Sequence, residues 1–291
     1  MLAFRSRPSG AGSSTQQPAR DGGDSPLAHW LEGDKPAGVR ATRGYVICAT
    51  PRTGSYYLCD LLRSTGCLGR PHEYFGGPGM RRLGSPEYPL DLAGQVAAAL
   101  RFGCTSNGVF GAKLFAAQFE QHGSELFKRL GNPVPIFLER EDVLGQAISL
   151  TRAALTKTYF AGASREDMPR FDAALIRDYL ELILRWNAGW QLYFSRSGTN
   201  PIRLTYERVM ADPPATIDRI RSRMGIDEVA RIDPGQLSTS IQRDAINAEW
   251  RERFLATQPT DLQFATLRGP ARITLQRRLR RAARILRLSR D

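Results

Sequence analysis

Short apolar runs alternate with helical patterns along this chain, and that alternation limits the fold more than any other feature of the sequence. The runs GYVICAT (Gly44 to Thr50), GVFGAKLF (Gly108 to Phe115), VPIFLER (Val134 to Arg140) and PIRLTYE (Pro201 to Glu207) have the length and composition of buried strands. Between them stand SYYLCDLLRSTG, LAGQVAAALRFG, SELFKRLG, DVLGQAISLTRAALTKTYF and FDAALIRDYLELILRWNAGWQLYF, which read as helices. Strands separated by helices make βαβ units. The order therefore predicts an α/β protein: a parallel sheet in three layers, with helices on both faces. In such a sheet the ligand crevice opens at the carboxyl ends of the strands, so functional residues are expected just after them.

With 291 residues the chain can form one α/β domain of roughly 250 residues with tails. Residues 1–40, rich in Gly, Ser, Pro and Gln, read as a disordered leader, 41–265 as the domain, and 266–291 as a basic amphipathic helix. Hydrophobic residues at 42% and charged residues at 24% exclude a wholly disordered or collagenous chain. No apolar run is long enough to span a bilayer, and the opening MLAFRSRPSGAGSSTQQP has no secretory core, so a cytoplasmic location is expected. Cys48, Cys59, Cys67 and Cys104 form neither a CxxC pair nor a His-linked set. They are expected to be reduced and mostly packed, and no metal is expected.

The net charge of +12 is unevenly spread: residues 271–291 hold eight Arg and one Asp, a net +7 that leaves +5 for everything else. This distribution argues against specific nucleic-acid binding and for an anion pocket with a basic appendage. In that appendage Leu275, Leu279, Ala282, Ala283 and Leu286 recur at helical spacing among arginines. Such a helix can lie on an anionic membrane, bind a polyanion, pack on a second subunit in a homodimer, or dock on its own domain.

Three segments carry chemistry. The first strand runs into Pro51, Arg52, Thr53, Gly54 and Ser55, and Ser55 can open the next helix. That geometry aims consecutive N–H groups and the positive helix end at one point, which suits a phosphate; a simple turn with a Ser cap is the alternative. After the third strand, Arg140 is followed nine residues on by Ser149. If a helix starts near Asp142, Ser149 lies two turns inside it and faces the same crevice, so the pair can hold a second phosphate; an Arg paired on the surface with Glu139 or Asp142 is the alternative. In LTYERVMADPPATIDRIRSRMG a strand gives way to a turn and then to a helix entered through Asp212 and two prolines. Tyr206 there leaves the strand near the crevice, either as a ligand contact or as a core tyrosine.

Glu73, in the loop after the first helix, is either a candidate general base for a hydroxyl nucleophile or a plain solvated carboxylate, and His72 beside it is the second candidate base. Arg52 is the first candidate to stabilise developing negative charge; Lys113, at the end of GVFGAK, is the second, either pointing from the strand end toward the reacting group or snorkelling along the strand edge.

In their order, strand-PRTGS-helix, the Arg140/Ser149 pair and the late YE…DP segment resemble sulfotransferases that use 3′-phosphoadenosine 5′-phosphosulfate (PAPS). Within that group PHEYF, GVFGAKLF and EREDVLGQAIS are similar to the bacterial trehalose 2-sulfotransferase family, over about residues 44 to 255. The resemblance implies a P-loop-like sulfotransferase fold and transfer of a sulfuryl group from PAPS to a hydroxyl of a carbohydrate or glycolipid. It places Arg52, Thr53, Gly54 and Ser55 on the 5′-phosphosulfate, with Pro51, Tyr56 and Tyr206 among the donor-binding residues. Arg140 and Ser149 match the 3′-phosphate pair and Glu73 the catalytic base. Tyr56 and Tyr57 depart from the small hydroxyl and aliphatic residues common in the family, and the stretch Gly76 to Asn107 matches poorly, so the acceptor is less defined than the donor. Two other classes compete: a P-loop-like kinase, disfavoured by the missing Walker lysine, and a non-catalytic polyanion or membrane adaptor.

Overall fold

A computed structural model describes residues 40–76, 88–156, 169–237 and 245–258. The residues before 40, the end of the long helical pattern after Thr156 and the basic helix 266–291 lie outside the described residues. Four parallel strands, β1 (Arg43–Ala49), β2 (Val109–Phe115), β3 (Val134–Glu139) and β4 (Ile202–Thr205), form one sheet in the order β2-β1-β3-β4. Helices α1 (Ser55–Ser64) and α2 (Leu92–Phe102) join β1 to β2, and α3 (Ala116–His122) and α4 (Glu125–Arg129) join β2 to β3. Then α5 (Val143–Thr156) and α6 (Ala173–Ser197) lead to β4, followed by α7 (Tyr206–Ala211), α8 (Pro213–Arg223) and α9 (Ala245–Ala256).

The strand period of two explains the layers. Val46 and Cys48 of β1 pack with Ala112, Leu114, Phe137, Trp186, Trp190 and Phe194. Their neighbours Tyr45, Ile47 and Ala49 point the other way, into Leu58, Leu61, Leu62, Ile136, Ile217 and Ile220. Both sheet faces are thus buried, each large side chain contributing about 1.5–3 kcal/mol of transfer free energy. A third core of Ala147, Ile148, Ile183, Trp250 and Phe254 ties α9 to α5 and α6.

From β1 the chain crosses to β2 on one side, while β3 lies on the other, so the loops after β1 and β3 open into one crevice at the switch point. The outer edge of β2 is covered by the segment after α1: the Lys113 amide donates to the His72 carbonyl (2.9 Å), and the Arg70 and Gly111 amides share the Gly103 carbonyl (2.7 and 3.0 Å). This strapping sets where Glu73 stands.

The structure departs from the sequence reading at the end of β4 and in two further helices, α3 and α9, of which α9 falls in none of the helical patterns named from the sequence. Strand β4 stops at Thr205, whose hydroxyl caps α7 by accepting the Arg208 amide, so Tyr206 and Glu207 begin a helix instead of closing the strand. Helix α3 was not anticipated; it follows β2 without a loop because Gln118 Oε1 turns back to accept the Phe115 amide (2.8 Å). Helix α8 is entered as expected, Asp212 accepting the Ala215 amide (2.9 Å) ahead of two prolines.

Candidate active site

The loop after β1 takes its shape from two residues in the left-handed region, Arg52 (φ 66°) and Gly54 (φ 79°). For an arginine that conformation costs on the order of 1–3 kcal/mol, so the surroundings must hold it. They do: Gln146 Nε2 donates to Thr50 Oγ1 (2.8 Å) and to the Pro51 carbonyl (2.7 Å). Arg140 donates to the Arg52 carbonyl (3.4 Å), Thr53 Oγ1 to the Thr50 carbonyl (3.0 Å), and Trp190 Nε1 to the Ala49 carbonyl (3.2 Å). Gly54 caps α1 without a side-chain hydrogen bond, and Thr53 and Ser55 are buried. Helix α1 therefore presents its first amides, and its positive end, toward the crevice.

The Tyr206 ring lies over Gly54, so that a Cβ at position 54 would overlap it. Gly54→Ala would meet both this overlap and an unfavourable backbone. It is expected to destabilise the fold by about 2–4 kcal/mol, read as a lower thermal-unfolding midpoint.

Three arginines gather beside the loop. Arg52 Nε donates to Ser149 Oγ (2.9 Å), which joins the two positions that sequence spacing had suggested for separate phosphates. Burial, then the Arg140 guanidinium, and then Arg152 lower the Arg52 pKa from its ordinary value, against an opposing effect of Tyr56. The pull of Arg140 and Arg152 marks an excess of positive charge that an anion would relieve. Asp142 supplies little relief. Burial pushes its carboxyl up, but its hydrogen bonds to Arg251 and to the Gly145 amide outweigh this and hold it below the usual range. Arg140 is left 3.9 Å from the carboxylates of Asp142 and Glu207, and its buried Nε has no hydrogen-bond partner among the described residues. Its guanidinium lies 5.2 Å from the centre of the Tyr206 ring. A buried guanidinium nitrogen without a hydrogen bond among the described residues and an electropositive cluster, both beside a sharply bent loop, together fit a polyanionic phosphate compound.

On the β2 side of the loop lies a second group. The register pairs Lys113 with Ile47, so its side chain leaves the sheet in the α1 layer rather than from the strand end. Its ammonium is fully buried, has no hydrogen-bond partner among the described residues, and sits 3.7 Å from Glu73 Oε2. It also rests on ring faces, 3.1 Å from the centre of Tyr56 and 4.9 Å from that of Phe115. The Tyr56 hydroxyl donates to Glu73 Oε2 (2.7 Å). Glu73 is partly exposed, at 17% of its side-chain surface, whereas the neighbouring His72 ring is buried against Tyr56 and Tyr74. Burial, followed by Lys113 and Arg63, lowers the His72 pKa to about 3.

Of the residues singled out from sequence, Pro51 to Tyr56, Glu73, Lys113, Arg140, Ser149 and Tyr206 all surround this crevice. Sequence reasoning missed Gln146, which holds the loop, and Arg152, three residues after Ser149 and oriented by Asn247 of α9 (2.8 Å). The i, i+3 spacing of Gln146, Ser149 and Arg152 was the available signal for both.

A glycine-bent, cation-flanked loop at the switch point of a parallel sheet defines an α/β protein with a candidate anion cradle ahead of its first helix. The family model for Stf0 sulphotransferase matches residues 44–257, and the chain belongs to that family. Similar to it are the trehalose 2-sulfotransferases of Mycobacterium tuberculosis (strain ATCC 35801 / TMC 107 / Erdman) and Mycolicibacterium smegmatis (strain ATCC 700084 / mc(2)155). The first is 26% identical over 263 residues, covering 76% of this chain and 97% of that protein. The second is 25% identical over 252 residues, covering 72% and 93%. Among solved structures, the sulfotransferase domain of the Synechococcus PCC 7002 olefin synthase aligns over 81% of this chain and 94% of its own, with a TM-score of 0.39 and 14% identity. Family membership follows from the family match alone. Among the described residues no helix is long and apolar enough to cross a membrane.

Proposed function

We propose that this sulfotransferase moves a sulfuryl group from PAPS to a hydroxyl of a carbohydrate or glycolipid, by in-line transfer with Glu73 as general base. The observation that carries the reading is the division of charge around one loop: an electropositive arginine cluster on its β3 side, and a partly exposed carboxylate with a buried cation on its β2 side. The first group suits a nucleotide bearing two separated anionic ends; the second suits a neutral nucleophile that must lose a proton. The trehalose named for both curated relatives supports a sugar hydroxyl as acceptor.

Arg52 and the first amides of α1 are assigned to the 5′-phosphosulfate, and Arg140 with Ser149 to the 3′-phosphate, with Arg152 adding to the field. As the acceptor oxygen bonds to sulfur, its proton passes to Glu73, and the bond from sulfur to the bridging oxygen breaks. The electron pair leaves with the 3′,5′-bisphosphate. Arg52 and Lys113 offset the negative charge gained by the sulfuryl and leaving oxygens. Glu73 is preferred to His72 as the base because a buried imidazole titrating near 3 accepts a proton poorly at neutral pH.

Incubation with radiolabelled PAPS and a panel of sugars, lipids and phenols is expected to place label in a sugar product. By calorimetry, adenosine 3′,5′-bisphosphate should bind about 10- to 100-fold more tightly than AMP, the range expected of charge-assisted hydrogen bonds. Arg140→Met should erase that preference. Equal binding of the two nucleotides by the unaltered protein would overturn the donor assignment.

A further inference from the structure

The departure from family pattern at position 56 places a tyrosine between the two groups assigned to proton transfer and charge stabilisation. Tyr56 is the second residue of α1, so the bent loop and the helix end fix its backbone together. Its ring face supports the Lys113 ammonium at 3.1 Å from the centroid, and its hydroxyl reaches Glu73 Oε2 at 2.7 Å. The ring in turn meets the buried His72 imidazole edge-on, with centroids 6.3 Å apart. Lys113 has no conventional acceptor among the described residues, so the Tyr56 and Phe115 rings and the Glu73 carboxylate are its counterparts there.

We propose that Tyr56 is a positioning residue for the general base: its hydroxyl fixes one oxygen of Glu73 while its ring seats Lys113, so that base and cation act as one unit. This rests on the reading of Glu73 as the base. Both tethers converge on Oε2, which orients the carboxylate and leaves Oε1 to take the acceptor's proton. Burial, then the Glu73 charge, raise the Tyr56 pKa well above its ordinary value, so the hydroxyl stays a donor throughout the working pH range. An untethered glutamate would sample several rotamers, only some of which face the crevice. The Tyr56 side chain thus acts through Glu73 and Lys113.

The test separates hydroxyl from ring. Tyr56→Phe keeps the ring and removes the hydroxyl, and is expected to lower kcat about 10- to 100-fold, the range for a hydrogen bond to a charged group. The KM for PAPS, the affinity for the 3′,5′-bisphosphate and the thermal-unfolding midpoint should hardly move. Tyr56→Leu, which also removes the ring beneath Lys113, should lose more. In a Glu73→Gln background Tyr56→Phe should have no further effect, because the base it positions is gone. An undiminished second loss in that background, a weakened bisphosphate affinity, or a Tyr56→Phe kcat within about twofold of the unaltered protein would each sink the proposal, since a hydrogen bond to charge should exceed that. Transfer by the unaltered protein from PAPS is the control for the underlying reading. If it makes no labelled product from PAPS, the donor reading and this role fall together.

Discussion

Glu73→Gln is expected to lower kcat by about 10²- to 10⁴-fold, the usual contribution of a positioned general base, while leaving bisphosphate affinity unchanged. Glutamine keeps the shape of the side chain, and its amide oxygen can still accept from the Tyr56 hydroxyl. What it loses is the ability to take a proton and the negative charge facing Lys113. Single-turnover transfer of label from PAPS reads the chemical step, and calorimetry with the bisphosphate reads the nucleotide site. A rate near that of the unaltered protein would remove Glu73 from the mechanism, because catalysis by this carboxylate cannot survive its conversion to an amide.

Lys113→Met should move activity and stability in opposite directions. An ammonium with no exposed surface and no hydrogen-bond acceptor among the described residues is costly to bury, and its one carboxylate neighbour stands 3.7 Å away. Methionine fills similar space without the charge, so the thermal-unfolding midpoint is expected to rise. The sulfuryl transfer should slow by about 10²- to 10³-fold, as when one preorganised group at a developing charge is removed. A destabilised but fully active variant would reverse the assignment, making Lys113 a structural residue. A buried charge that costs stability is explained by function, and this pair of measurements reads both quantities.

The elements that were legible in the sequence are those set by local pattern. Strands β1 to β3 fall within a residue of the apolar runs GYVICAT, GVFGAKLF and VPIFLER, because a central parallel strand must be apolar on both faces. The entry to α8 was legible through Asp212 and its prolines. The end of β4 was not: whether Tyr206 continues a strand or starts a helix depends on the Thr205 cap, which period alone does not reveal. Helix α3 was hidden for a similar reason, its start being decided by the Gln118 side chain folding back on Phe115.

The candidate site divides the same way. Arg52, Gly54, Arg140 and Ser149 could be named because functional loops follow strands in an α/β sheet, and the chain order fixes which loops those are. Their partners could not be named. That Arg52 bonds Ser149, that Gln146 holds the loop and that Tyr56 spans Lys113 and Glu73 are contacts between residues 97, 95 or 96, 57 and 17 positions apart. Such contacts arise only when the crossovers stack β2, β1 and β3 side by side. The sequence alone determined the layered fold and the loops that carry the chemistry, since both follow from hydrophobic period and turn chemistry along the chain. Only the tertiary structure decided which charges face one another, because burial and distance, which set electrostatic energies, are properties of the packed molecule.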